Sequence, residues 1–212
     1  MIQFYNITDR QNQEYLEAIE VYKASTSENQ QISPETIDEK MDSGNLVIIL
    51  GKQNVMPVFV AMLWKLEGTS FMVNEVVAII PSFQHLDFGK MYFDVLKHSD
   101  YYQNNHILFE AEDPDFGNKE ERKAKLDYYF LHGCQWVKGV KTVVPMPNSE
   151  EFVNTVLLLL TKDRFINISQ EELSIMLKKL YKELYNTPED AYLIKELLKE
   201  IPKIIELSGT WG

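Results

Sequence analysis

Residues 71–96, FMVNEVVAIIPSFQHLDFGKMYFDVL, change period partway along. Up to residue 80 the run is rich in Val and Ile and reads as a buried strand. Beyond Pro81, the residues Phe88, Met91, Tyr92, Val95 and Leu96 recur at helical spacing. A strand, a tight turn and a helix in that order aim the first free N–H groups of the helix at one spot beyond the strand. The positive end of the helix dipole lies behind them, so the junction is suited to an anion.

Working outward, residues 2–7 read as an edge strand. Tyr15, Ala18, Ile19 and Tyr22 fall on one face of a first helix. Ser33-Pro34 reads as an N-cap followed by Pro at the first helical position, which starts a second helix. Residues 46–50 and 58–64 are expected to be strands joined through a loop over 51–57. After the central helix come a strand over 106–112, a helix over 119–131, and strands over 135–144 and 153–161 joined by residues 145–151. This order predicts an α/β fold with a mixed, mostly antiparallel sheet flanked by helices.

The remainder, 163–212, changes character. Ser169-Gln170-Glu171-Glu172 is a capping box, and Leu173, Met176, Leu177, Leu180, Tyr181 and Leu184 form a helical stripe. Thr187-Pro188 is expected to open a second helix with Ile194, Leu197, Leu198 and Ile201 inward, ended by Pro202. The chain therefore divides into a domain over 1–162 and a C-terminal helical hairpin over 163–212. The hairpin is expected to pack on the sheet of its own chain, with a homodimer contact or a substrate-covering lid as alternatives.

Composition narrows the function. In 212 residues, 21 Lys and Arg face 32 Asp and Glu, a formal net charge of −11. Of this, 14 basic and 23 acidic side chains (−9) lie in residues 1–162. No basic stripe is present to neutralise phosphates, which argues against nucleic acid and favours a cationic or amine partner. The single cysteine, Cys134, excludes an internal disulfide and a multi-cysteine metal site and is expected to be buried. No charged segment followed by an apolar one opens the chain, and no apolar run is long enough to span a bilayer, so a cytoplasmic protein without membrane contact is expected.

The turn Gln84-His85-Leu86-Asp87-Phe88-Gly89 resembles the (Gln/Arg)-x-x-Gly-x-Gly/Ala signature of the GNAT N-acetyltransferases, whose loop holds the pyrophosphate of acetyl-coenzyme A. Gln84 and Gly89 match; Asp87 stands where that pattern has Gly. Tyr128-Tyr129-Phe130-Leu131-His132-Gly133-Cys134, downstream of Arg122, is similar to the family's second motif, with His132 and Cys134 in place of Leu and Phe. IEVYKASTSENQQ, residues 19–31, looks like the first helix and loop of a GNAT subfamily. The resemblance covers about residues 1–162.

It implies an acetyl-CoA-dependent N-acetyltransferase fold and a small-molecule or peptide amine as acceptor, without a metal. The strands before and after the central helix should splay to admit the acyl-pantetheine arm. Gln84, His85, Leu86, Asp87, Phe88, Gly89 and Lys90 would line the pyrophosphate, mostly through main-chain N–H groups. Backbone N–H groups of the strand around Val77 and Ile79 would polarise the thioester carbonyl. Glu75 stands where the family often carries its general base, with Glu110 and Glu112 as alternatives on one face of the next strand. Tyr129 aligns with the family's general acid, a role a phenol suits because it stays protonated at neutral pH. At about 4 Å from a phosphate, Asp87 would add roughly 1–4 kcal/mol of repulsion, which Lys90 offsets in part. A non-catalytic binding module on the same fold is the alternative. A metal-dependent hydrolase using His98, His106, Asp113 and Asp115 is a third reading.

Overall fold

The computed structural model describes residues 2–145, 151–163 and 167–211, apart from the side chain of residue 29. The interior of the expected 145–151 loop, residues 146–150, lies outside the described residues. Eight strands form one sheet: β1 (Ile2–Ile7), β2 (Leu46–Gln53), β3 (Met56–Lys65), β4 (Phe71–Ile79), β5 (His106–Glu112), β6 (Gln135–Pro145), β7 (Phe152–Leu160) and β8 (Leu207–Ser208). Their spatial order is β1-β2-β3-β4-β5-β7-β6-β8. Every neighbouring pair is antiparallel except β4 and β5, which makes the sheet mixed and mostly antiparallel, as the order of the segments predicts.

Helices cover both faces. On one lie α1 (Gln13–Ser25), α2 (Pro34–Asp42), α6 (Gln170–Glu183) and α7 (Tyr192–Lys199). On the other lie α3 (Phe88–Lys97), the short α4 (Asp100–Asn104) and α5 (Lys119–Leu131). The run 156–160 explains itself in this frame: Leu157 and Leu159 enter the first core while Val156, Leu158 and Leu160 enter the second. A strand buried on both faces needs no polar alternation.

The two C-terminal helices pack on the sheet of their own chain: Leu173, Met176, Leu177, Leu180 and Ile194 share a core with Leu157 and Leu159. The capping box of α6 forms as read, the Ser169 hydroxyl accepting the Glu172 N–H at 3.1 Å and the Glu172 carboxylate accepting the Ser169 N–H at 2.8 Å. Ser169→Ala is expected to cost ~1 kcal/mol and to lower the thermal midpoint by ~2–4 °C, measured by calorimetry.

Two expectations shift, and two short elements join those expected. The β2–β3 connection is Asn54-Val55 rather than 51–57, with Asn54 at a left-handed φ of 59°. The second C-terminal helix begins at Tyr192, because Pro188 and Ala191 close a turn (Ala191 N–H to Pro188 O, 2.9 Å) before it. The short α4 and the two-residue strand β8, which pairs with β6, carry too little periodicity to be read from sequence.

Candidate functional site

The sheet parts at its centre. β4 and β5 pair only at Phe71–His106, Met72–Ile107 and Val73–Leu108; beyond that, β4 stays with β3 and β5 with β7. At the parting point β4 carries a bulge. Met62 and Leu63, adjacent on β3, pair with Val76 and Asn74, which leaves Glu75 as the extra residue. The bulge is braced from α3: the Tyr92 hydroxyl donates to Asn74 Oδ1, and Asn74 Nδ2 donates to Val76 O at 3.4 Å. Asn74 is buried, so these bonds satisfy a polar group that would otherwise cost stability there.

The extra residue turns Glu75 toward the α1 side of the sheet, where it lines two cavities. One, of about 380 Å³, runs along Val76–Ala78 and the loop after α1, with Tyr22, Ser25, Ser27 and Gln30. That loop is tied to α1 by Ile32 N–H to Tyr22 Oη at 2.7 Å and Gln31 Nε2 to Thr26 O at 2.7 Å. The other, of about 180 Å³, is bounded by Trp64, Val144, Leu184 and Tyr185. Burial pushes the Glu75 carboxyl up to about 7.

Glu110, on β5, lies close enough to Glu75 for their charges to interact. Its carboxyl is pushed up to about 8, by burial first and then by Glu75, against the hydrogen bond from Tyr185. The Tyr185 hydroxyl donates to Glu110 Oε2. Oε1 is buried with no hydrogen-bond partner among the described residues, since the nearby Thr142 hydroxyl is engaged with Thr155 at 2.8 Å. Two close, buried carboxylates do not both ionise readily, and they titrate as a pair. Glu112 turns to the Arg122 guanidinium at 3.5 Å, and Glu110 pairs across the gap with Glu75.

On the opposite face a third cavity, of about 210 Å³, is lined by Val77, Gly89, Phe93, Phe109, Tyr128 and Tyr129, among others. Val77 and Lys125 line both this cavity and the one of about 380 Å³, so the two meet across β4. Val77 is 43% exposed and opens into the gap, whereas the half-buried Ile79 packs on the α3-side core. Tyr129 sits among Phe109, Phe93 and Tyr128 with ring centroids 5.3–6.3 Å apart. Burial holds its phenol above the ordinary range, with no hydrogen bond from a described residue to offset it.

The turn ahead of α3 closes partly on itself. The N–H groups of Gln84, Leu86 and Phe88 go to Pro81 O, Phe83 O and Leu86 O at 3.3, 3.0 and 2.8 Å. Asp87, at φ −78° and ψ 52°, is the centre of an inverse γ-turn. Its carboxylate caps α3 by accepting the Lys90 N–H at 3.4 Å, a long bond against the usual ~3.0 Å. The amides of His85, Asp87 and Gly89 make no hydrogen bond to a described residue. The Gln84 side chain reaches back to Ile79 O at 3.5 Å, Phe88 is buried, and His85 and Lys90 are exposed. A Cβ on Gly89 would meet the Tyr128 hydroxyl, which would then have to shift; burial and the Asp87 charge push that phenol up to about 12.

Cys134 is buried, and burial raises its thiol well above the ordinary value, the state of an inert core thiol. Among the described residues no cluster of three or more His, Cys, Asp or Glu is placed to hold a metal, and no helix is long and apolar enough to cross a membrane. Sequence reading missed Tyr185, Trp64, Tyr22 and Lys125. Tyr185 follows the α6 stripe by one residue. It is returned to the sheet because Asn186, at a left-handed φ of 50°, ends the helix with Thr187 N–H on Tyr181 O at 2.9 Å.

Compared by sequence, the chain matches no protein-family model and no curated protein. Compared by structure, it is similar to a Bacteroides thetaiotaomicron protein assigned to the GNAT acetyltransferases (TM-score 0.69, 20% identity, 87% of this chain and 99% of that one). It is also similar to the Escherichia coli ribosomal-protein-S18-alanine N-acetyltransferase (TM-score 0.55, 13% identity, 76% and 93%). A third similar structure is an aminoglycoside 6′-N-acetyltransferase complexed with coenzyme A (TM-score 0.53, 13% identity, 76% and 96%). With its parted central strands, bulged β4 and strand–turn–helix junction, this chain has the fold of the GNAT N-acetyltransferases.

Proposed function

We propose that this protein is a GNAT-type N-acetyltransferase that moves an acetyl group from acetyl-CoA to a primary amine. The observation that carries this reading is the gap between β4 and β5, with a carboxylate near neutrality on one side and a protonated phenol on the other. A structural neighbour with coenzyme A bound adds to it. The residues fit the acyl end of such a donor. Val77, Phe109 and Tyr129 offer an apolar cradle, and the exposed Lys125 on its lining supplies positive charge. The unbonded amides of His85, Asp87 and Gly89 remain for a diphosphate, which Asp87 opposes.

Acetyl-CoA, when bound, supplies a thioester carbonyl open to attack by an amine. Glu75 takes one proton from the incoming ammonium, which frees the nitrogen lone pair. A carboxyl near 7 does this at neutral pH while remaining basic enough to be useful. The Tyr129 hydroxyl gives one proton to the departing sulfur. The second proton that the nitrogen loses as the amide forms returns the phenolate to neutrality, so of the two protons shed one rests on Glu75 and one ends on the thiol. Glu110, raised further than Glu75, keeps its proton longer, so near neutral pH the negative charge of the two rests on Glu75, which favours an ammonium over an anionic acceptor.

A second reading, a non-catalytic member of the same fold, draws on the Asp87 cap at the α3 N-terminus. Thermal unfolding with acetyl-CoA separates the two. At a ligand concentration near 100 times Kd, the natural chain is expected to gain ~2.7 kcal/mol, or about 5–10 °C. Asp87→Gly is expected to bind more tightly, by the ~1–4 kcal/mol of repulsion removed. A natural chain left unmoved while Asp87→Gly is stabilised would overturn the enzyme reading in favour of the second.

A further inference from the structure

The C-terminal segment reaches into the site through one residue. The Tyr185 hydroxyl donates to Glu110, and its ring lies 5.5 Å from that of Tyr181. Tyr181 is itself fastened to β6: its hydroxyl donates to Val143 O at 2.6 Å and accepts the Val143 N–H at 3.0 Å. Tyr185 is therefore held in position rather than resting on the surface. Beside it, Leu184, Trp64, Ile32, Gln30 and Val144 surround the cavity of about 180 Å³, where Glu75 is the one ionisable carboxylate among the described residues. Trp64 is 3% exposed, and its indole N–H has no hydrogen-bond partner among the described residues.

An apolar chamber with a single acidic corner is complementary to a ligand that is cationic at one end and apolar over the rest. A polyamine would leave further ammonium groups against Ile32, Leu184 and Val144, aliphatic walls that do not compensate their desolvation. We infer that the acceptor is a primary amine on a compact apolar or aromatic body. Its nitrogen lies at Glu75 and its body in the chamber walled by Trp64, Leu184 and Tyr185; Tyr185 is also the positioning residue for Glu110. This assignment rests on the acetyl-transfer reading but is separable from it.

The groups that face the carboxylate pair are Tyr22 from α1, Tyr181 from α6, Thr142 from β6 and Tyr185 itself. Removing the Tyr185 hydroxyl withdraws a donor from Glu110 and moves the upper titration step of the pair to higher pH.

The test uses the full chain with phenethylamine and spermidine as probes. Without acetyl-CoA, the Trp64 indole N–H resonance is expected to shift on titration with phenethylamine and to stay in place with spermidine. With acetyl-CoA, release of the coenzyme thiol is expected to be at least tenfold more efficient with phenethylamine. Leu184→Gln is expected to raise the phenethylamine KM at least fivefold with little change in kcat. Tyr185→Phe is expected to move the upper carboxyl titration, followed by NMR of labelled Glu side chains, upward in pH. An unmoved Trp64 resonance, a preference for spermidine or an unchanged titration in Tyr185→Phe would overturn the assignment. Phenethylamine binding at Trp64 without any acetyl transfer would instead uphold the chamber and sink the enzyme reading.

Discussion

Glu75→Gln is expected to lower acetyl transfer ~10²–10⁴-fold, the range typical of a lost general base. The substitution keeps the side chain's size and its place in the bulge, so the fold and acetyl-CoA binding should survive, and the loss should fall on kcat. In the natural chain kcat/KM should rise through about pH 7 as Glu75 gives up its proton. The variant should lack that limb. A pH–rate profile on both chains, with any accepted amine, checks this. A variant that keeps both its rate and its rising limb would remove Glu75 from the proposed mechanism, and Glu110, with its higher value of about 8, would be the next carboxylate to replace.

The same pair should govern stability. Both carboxyls are raised in the folded chain, to about 7 and about 8, above an ordinary value of 4.5. Between these limits the folded state holds more protons than the unfolded one, so stability falls as pH rises. The full contribution is present below about 4.5 and is lost as pH climbs through about 8. Two shifts in the same direction make this decline large enough to read as a change in unfolding midpoint. Self-repulsion from the net charge of −11 acts in the same direction, so the discriminating measurement is a comparison. Urea midpoints from about pH 5 to about pH 9 should fall steeply for the natural chain and flatten for Glu75→Gln/Glu110→Gln. Equal slopes would show that the pair is solvated rather than buried.

Much of the architecture was legible because period and punctuation agree along the chain. Val and Ile runs became strands, Ser33-Pro34 and Ser169–Glu172 became helix starts, and the doubly apolar 156–160 became a strand with a core on each side. The site was less legible. Alternation on β5 places Glu110 and Glu112 on one face, but it says nothing of Arg122, which draws Glu112 away. Nothing local marks residue 75 as a bulge; pairing with β3 and the brace from Tyr92 create it. Asp87 read first as an obstacle to phosphate. It is equally a good N-cap residue, and the fold uses it as one. Tyr185 lay beyond reach, since its contact with Glu110 spans 75 residues.

The narrow join between β4 and β5 has a mechanical consequence. The two four-stranded halves of the molecule are stitched by three registered residue pairs, all at one end of the seam. From Asn74 onward the two margins share no ladder bonds, so widening them breaks none. Across this one line no backbone ladder holds the width of the gap, and the side chains packed over the two faces of the sheet set it instead.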